Sequence, residues 1–145
     1  MSERTRLLFF LQEVKTTGRF VSFNANPLRN QVGDCVIRAI AKAENKSWDE
    51  VYAAVCLEGA YLGDMPTANA VWGSYLRRIG YKRTPIDDKG REYYTVNDFC
   101  ADNPKGTYIV AMQSHVVTVC DGKVFDTWDS TNELPIYSWH KEKEG

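Results

Sequence analysis

An α+β domain, helices first and an antiparallel sheet second, is the fold class that this sequence predicts, and three features predict it. Apolar residues recur at helical spacing between Asp34 and Ile79, where a Ser47-Trp48-Asp49-Glu50 capping box opens one of the helices. From Thr107 onward the apolar runs shorten to strand length. Asp121-Gly122, the preferred pair for a two-residue hairpin turn, joins two of those runs. At 145 residues the chain makes one domain, long enough to bury about two thirds of its unfolded surface without staples.

The elements follow in order. Leu7, Leu11 and Val14 share one face of a short helix within residues 1–18, which Gly18 ends. The β-prone run Arg19 to Phe23 is a short strand, and the turn-rich stretch Asn24 to Gly33 is a loop. Asp34 suits an N-cap, so Cys35 becomes the first residue of a central, buried helix carrying Val36, Ile37 and Ile40 and ending near Glu44. The capped helix after Ser47 sets Trp48, Val51, Tyr52 and Val55 on one face. A third helix follows Met65-Pro66-Thr67, carries Val71, Trp72, Tyr75, Leu76 and Ile79, and stops at Gly80. Tyr81 to Ile86 reads as a strand and Thr95 to Cys100 as a short capped helix, ended by Asn103-Pro104-Lys105-Gly106. Strands are then expected at Thr107 to Met112, His115 to Cys120 and Lys123 to Trp128, with a frayed tail over 140–145.

Composition removes several classes of function. Eighteen basic against nineteen acidic side chains leave a net charge of −1, without the concentrated positive charge that nucleic-acid binding needs. The most apolar window, Leu7 to Leu11, is far short of the ~20 residues that a membrane span requires, and it is too soon interrupted by charge to be an export signal. A reducing, cytoplasmic compartment is therefore expected. The four cysteines, Cys35, Cys56, Cys100 and Cys120, lie 21, 44 and 20 positions apart, with no paired spacing for zinc and no reason to form disulfides in that compartment. No metal and no cofactor is expected. Cys56, Cys100 and Cys120 sit in apolar runs and read as buried spectators.

Cys35 differs because the chain passes there from loop directly into helix. A thiol at a helix N-terminus feels the positive end of the dipole and unpaired backbone N–H groups, which favour its thiolate. If Asp121 and Gly122 are the two loop residues of the hairpin, Val117 faces Asp126 and His115 faces Trp128, so His115, Val117, Asp126 and Trp128 share a side. Asp126 is then a diagonal neighbour of His115, able to accept its ring N–H and fix the tautomer. Asp129 falls opposite Ser114 on the other face, and His140 has no carboxylate in a defined register. Trp128 is placed either to wall a cleft or to pack in the core.

The order Cys35, His115, Asp126 on helix, strand and strand resembles the papain-like cysteine peptidase superfamily, including bacteriocin-processing peptidases and cell-wall endopeptidases. Phe23-Asn24-Ala25-Asn26-Pro27, Gly33-Asp34-Cys35-Val36-Ile37-Arg38-Ala39-Ile40, Pro104-Lys105-Gly106-Thr107-Tyr108 and the segments around His115 and Asp126-Thr127-Trp128-Asp129-Ser130 are similar to a group of small uncharacterised phage and bacterial proteins of the cysteine-peptidase type. The resemblance implies a papain-like fold, with the Cys35-bearing helix packed on a C-terminal antiparallel sheet and thiol facing imidazole across a cleft. It also implies a peptidase or amidase acting through a thioester on a protein or peptide substrate, in a bacterial or phage-infected cytoplasm. Papain-type enzymes carry a glutamine six residues before the cysteine as an oxyanion donor, and Arg29 stands here instead. Gln31, Asn26 and Asn30, with Asn24, are the amides in the loop that remain as donors beside the Cys35 N–H. Three other readings of the same residues stay open: a transglutaminase-like acyltransferase, a binding or inhibitory protein on this scaffold, and a metal site using Cys35, His115 and Asp126.

Overall fold

A computed structural model describes residues 18–141. The expected helix within 1–18 lies outside them except for Gly18, which stands in a turn, as do residues 142–145 of the expected tail. The described chain runs β1 (Phe20–Ser22), α1 (Cys35–Glu44), α2 (Trp48–Leu62), α3 (Asn69–Arg78), β2 (Tyr81–Pro85), α4 (Val96–Asp102), β3 (Thr107–Met112), β4 (His115–Cys120), β5 (Lys123–Asp126) and β6 (Pro135–Lys141).

The fold is α+β, built on one six-stranded sheet in the order β1-β5-β4-β3-β6-β2. The sheet is mixed, which corrects the expected antiparallel one: β1 runs parallel to β5, with Phe20 beside Val124 and Ser22 beside Asp126. Strand β6 is an addition. It pairs with β3 on one side and β2 on the other, so Lys141 lies opposite Tyr81 and His140 opposite Lys82. The ordered sheet thus claims two residues assigned to the tail, because β2 offers a ladder that a charged end can join.

Strands β3 and β4 are apolar along nearly their whole length because both faces are covered. Helices α1, α2 and α3 pack Ile40, Val51, Val55, Trp72 and Leu76 onto Ile109, Ala111, Val116 and Trp139. On the other face α4 sets Val96, Phe99 and Cys100 against Val110, Val117, Val119 and Val124. The Ser47 capping box forms as expected, and a second one, Thr95 with Asp98, opens α4. Tyr52, expected on the buried face of α2, is instead half exposed and stacks on Trp48 at 4.9 Å. Thr118 in β4 donates to the Ala39 carbonyl at 2.5 Å, fixing α1 to the middle of the sheet. No helix of the described residues is long and apolar enough to cross a membrane.

The hairpin sets the site. Asp121 (φ 48) and Gly122 (φ 75) both take positive φ, as a type I′ turn requires, and the ladder pairs Cys120 with Lys123 and Thr118 with Phe125. Continuing that register brings Val117 level with Asp126. Strand β5 stops at Asp126, two residues before the expected end at Trp128. His115, the first residue of β4, and Asp126, the last of β5, therefore stand at the end of the sheet where the N-terminus of α1 arrives.

Candidate active site

The loop before Cys35 is built from amide side chains. Asn24 Oδ1 accepts from the Asn26 N–H at 3.0 Å and Asn26 Oδ1 from the Leu28 N–H at 2.9 Å, two Asx turns in succession. Asn26 is buried, and its Nδ2 donates to Asp34 Oδ2 at 3.4 Å. Its amide is thus engaged in holding the loop, and Asn26 is not among the residues that line the cleft. Gln31, Asn30 and Asn24 do line the cleft beside Cys35. Cys35 is the first helical residue, so its N–H has no carbonyl partner within the helix.

Asp34 occupies the N-cap position but makes no side-chain cap bond, contrary to expectation. Its carboxylate is taken by three other donors: Arg38 Nε at 2.8 Å, Trp48 Nε1 at 3.0 Å and Asn26 Nδ2. A charged donor one helical turn away outcompetes the backbone N–H groups.

The structure joins the other two expected residues to the thiol. His115 Nε2 lies 2.6 Å from Asp126 Oδ2, leaving Nδ1 as the ring nitrogen available to Cys35, which borders the same cleft. The Val116 N–H also favours the ionised form of the Cys35 sulfur. Burial would raise the thiol pKa, but the bonds from His115 and Val116 and the charges of His115 and Arg38 prevail and hold it below the ordinary thiol value. Burial would likewise lower the His115 pKa, yet its bonds and charges with Asp126 and Cys35 raise it to about 9. Asp126 lies below the usual carboxylate range: the burial that opposes ionisation is overcome by His115, Ser130 and the Thr127 N–H. The same pairing thus favours the thiolate of Cys35 and the imidazolium of His115.

Four donors saturate Asp126, which is 1% exposed. Arg38 Nη1 at 3.0 Å and the Thr127 N–H at 2.7 Å reach Oδ1, while His115 and Ser130 Oγ, at 2.8 Å, reach Oδ2. Arg38 and Ser130 were not singled out from the sequence as site residues. Arg38 had a readable signal, a cation set among the apolar positions of α1 four residues after an aspartate; Ser130 had none. Trp128 lies half exposed with its ring stacked on His115 at 4.7 Å, so it walls the cleft instead of packing in the core.

Two hollows meet at the thiol. One, of about 560 Å³, runs past Asn24, Gln31, Thr127 and Trp128; the other, of about 500 Å³, runs past Asn69, Trp72, Met112 and Tyr137. Gly33, Cys35, Ser114 and His115 border both, so an extended chain has room on either side of the sulfur. Asp129 accepts from Thr131 and plays no part in the cleft. The remaining cysteines are free thiols, and burial pushes the Cys100 pKa up to about 11. Among the described residues no group of three or more His, Cys, Asp or Glu side chains is placed to hold a metal ion. In comparisons with protein-family models, curated proteins and solved structures, nothing matches this chain.

Proposed function

We propose that this protein is a cysteine hydrolase of papain-like type, a peptidase or amidase, in which Cys35 is the nucleophile, His115 the acid and base, and Asp126 the residue that orients His115. The observation that carries this reading is the His115–Asp126 bond set beside Cys35 on one cleft, with the thiol pKa lowered and the imidazole pKa raised to about 9. Burial alone drives both shifts the other way, so the pairing itself supports nucleophilic chemistry. The order of the three residues along the chain agrees with the papain-like resemblance of the sequence.

The Cys35 thiolate attacks the carbonyl carbon of an amide, and the negative charge passes to the carbonyl oxygen. The Cys35 N–H, with Gln31 or Asn30 from the same cleft lining, would donate to that oxygen. Collapse of the tetrahedral species breaks the C–N bond while the His115 imidazolium gives its proton to the departing amine. His115, now neutral, takes a proton from water as its oxygen attacks the thioester; release of the acid restores thiolate and imidazolium. A protein or peptide laid along the two hollows is the substrate class that fits.

The test is the rate at which iodoacetamide modifies each thiol at pH 7, read by mass spectrometry of peptides. Cys35 is expected to react about 10²-fold faster than Cys56, Cys100 or Cys120, and His115→Ala to abolish that lead. Uniformly slow labelling of all four would overturn the enzyme reading in favour of a scaffold without turnover.

A further inference from the structure

Arg38 belongs to α1, one helical turn beyond the thiol, and its guanidinium is nearly buried. It reaches back to Asp34 Oδ1 through Nε at 2.8 Å and across to Asp126 Oδ1 through Nη1 at 3.0 Å. It thereby links the residue immediately before the nucleophile to the residue that holds the base. We infer that Arg38 is a positioning residue of the active site: it clamps Asp34 to Asp126 so that one Asp126 oxygen stays turned to His115, and it stands as a fixed positive charge behind the thiolate. This inference rests on the hydrolase reading above.

Two features of the geometry support the clamp. A carboxylate can rotate, and the oxygen facing His115 is defined only while the other oxygen is held. Arg38 and the Thr127 N–H hold it. The planar fork of a guanidinium lets two of its nitrogens serve two carboxylates at once, whereas an ammonium is a point charge on a flexible stem. Charge supplies the second part. The charged groups gathered at Cys35 are Asp34 and Arg38 at the start of α1, His115 on β4 and Asp126 on β5. Without Arg38, the thiolate would face two carboxylates with a single imidazolium to offset them. With it, the two cations balance the two carboxylates, and the third anion is tolerated.

The variants Arg38→Met and Arg38→Lys separate these two effects. The first removes both charge and fork, the second only the fork. Two readouts follow the active site and not the stability of the fold: the acid midpoint of the Cys35 alkylation rate against pH, measured with iodoacetamide, and the low-field proton resonance of the His115–Asp126 bond in a spectrum of the full chain. R38M is expected to move the midpoint upward by about one pH unit. R38K is expected to keep the midpoint near that of the unchanged protein while the ring-proton resonance shifts or broadens. An unshifted midpoint in a folded R38M, or an unchanged resonance in R38K, overturns the inference and leaves Arg38 a structural ion pair. Should R38M fail to fold, as its circular dichroism would reveal, the R38K resonance decides. If the unchanged protein shows no selective Cys35 alkylation, it is the hydrolase reading that fails, and the two failures are thereby distinguished.

Discussion

Two regions on opposite faces of the sheet each hold a shielded cysteine, and the sheet also carries two histidines, yet only one region is wired for chemistry. At the start of α1, Cys35 has its pKa lowered by His115, and His115 is bonded to Asp126. On the inner side of α4, Cys100 is fully buried among Val96, Phe99 and Val110, with no hydrogen-bond partner contributing to its pKa. His140, on β6, touches the Tyr108 ring at 5.7 Å and leaves its buried Nδ1 without a partner among the described residues. Burial pushes both thiols upward; partners reverse the direction for one of them. What makes a cysteine reactive here is therefore the pairing, and the apolar surroundings only decide how much the pairing matters.

The largest expected effect breaks the comparison if it fails. Turnover of an activated ester such as p-nitrophenyl acetate should drop by on the order of 10³-fold or more in Cys35→Ser and should stay at its original level in Cys100→Ser. Loss of turnover in both variants would mean that the packed face contributes to the chemistry, and the contrast between the two thiols would collapse.

Stability against pH sharpens the same contrast. His115 has a raised pKa, so its contribution is fully present below about pH 6.5 and is lost as the pH climbs through about 9. Cys35 has a lowered pKa, so its contribution is present above the ordinary thiol pKa and is lost as the pH falls through the folded value. From about pH 6.5 upward His115 holds on folding a proton that the unfolded chain lacks, while the lowered Cys35 pKa releases one, so the two slopes oppose each other. Urea midpoints of the unchanged protein should therefore fall less steeply with pH than His115 alone would make them. In Cys35→Ser the opposing release is gone, and stability should decline with rising pH by up to about 1.4 kcal/mol per pH unit. Cys100→Ser should follow the unchanged protein there. Parallel curves for the two serine variants would show that Cys35 and His115 do not share a proton.

Much of this site was legible in the sequence because short-range rules govern it. A loop that turns into an apolar helix at Cys35 announces an exposed helix start, and a two-residue Asp-Gly turn fixes the partner of every residue in the following strands. His115 and Asp126 inherit their adjacency from that turn alone. What could not be read was made by segments far apart. The β1–β5 pairing joins residues about a hundred positions apart and has no turn to set it. Strand β6 begins with a proline and shows no clean alternation of burial, so its pattern carries no period-2 signal. The Asp34 carboxylate was expected to cap α1, a local role, and was diverted by Trp48 and Arg38 once tertiary packing brought charged and indole donors within reach.

The smallest effect tests whether the turn still matters after folding. Gly122 sits at φ +75, and an added Cβ would lie 3.2 Å from Arg19 Nη1 and 3.4 Å from the Cys100 carbonyl oxygen. An alanine there bears the left-handed penalty of about 1–2 kcal/mol and must displace either a flexible guanidinium or a fixed backbone atom. The turn lies at the far end of β4 and β5 from His115 and Asp126, and the ladder between them is anchored by Thr118 on Ala39 and by the flanking strands. Gly122→Ala should therefore lower the thermal midpoint by a few degrees, about 2–4 °C per kcal/mol for a domain of this size, and leave the rate of Cys35 alkylation unchanged at 25 °C. A fall in that rate without a fall in the midpoint would mean that the turn still sets the His115–Asp126 register in the folded protein. The packed face and the reactive one would then be mechanically coupled through β4 and β5.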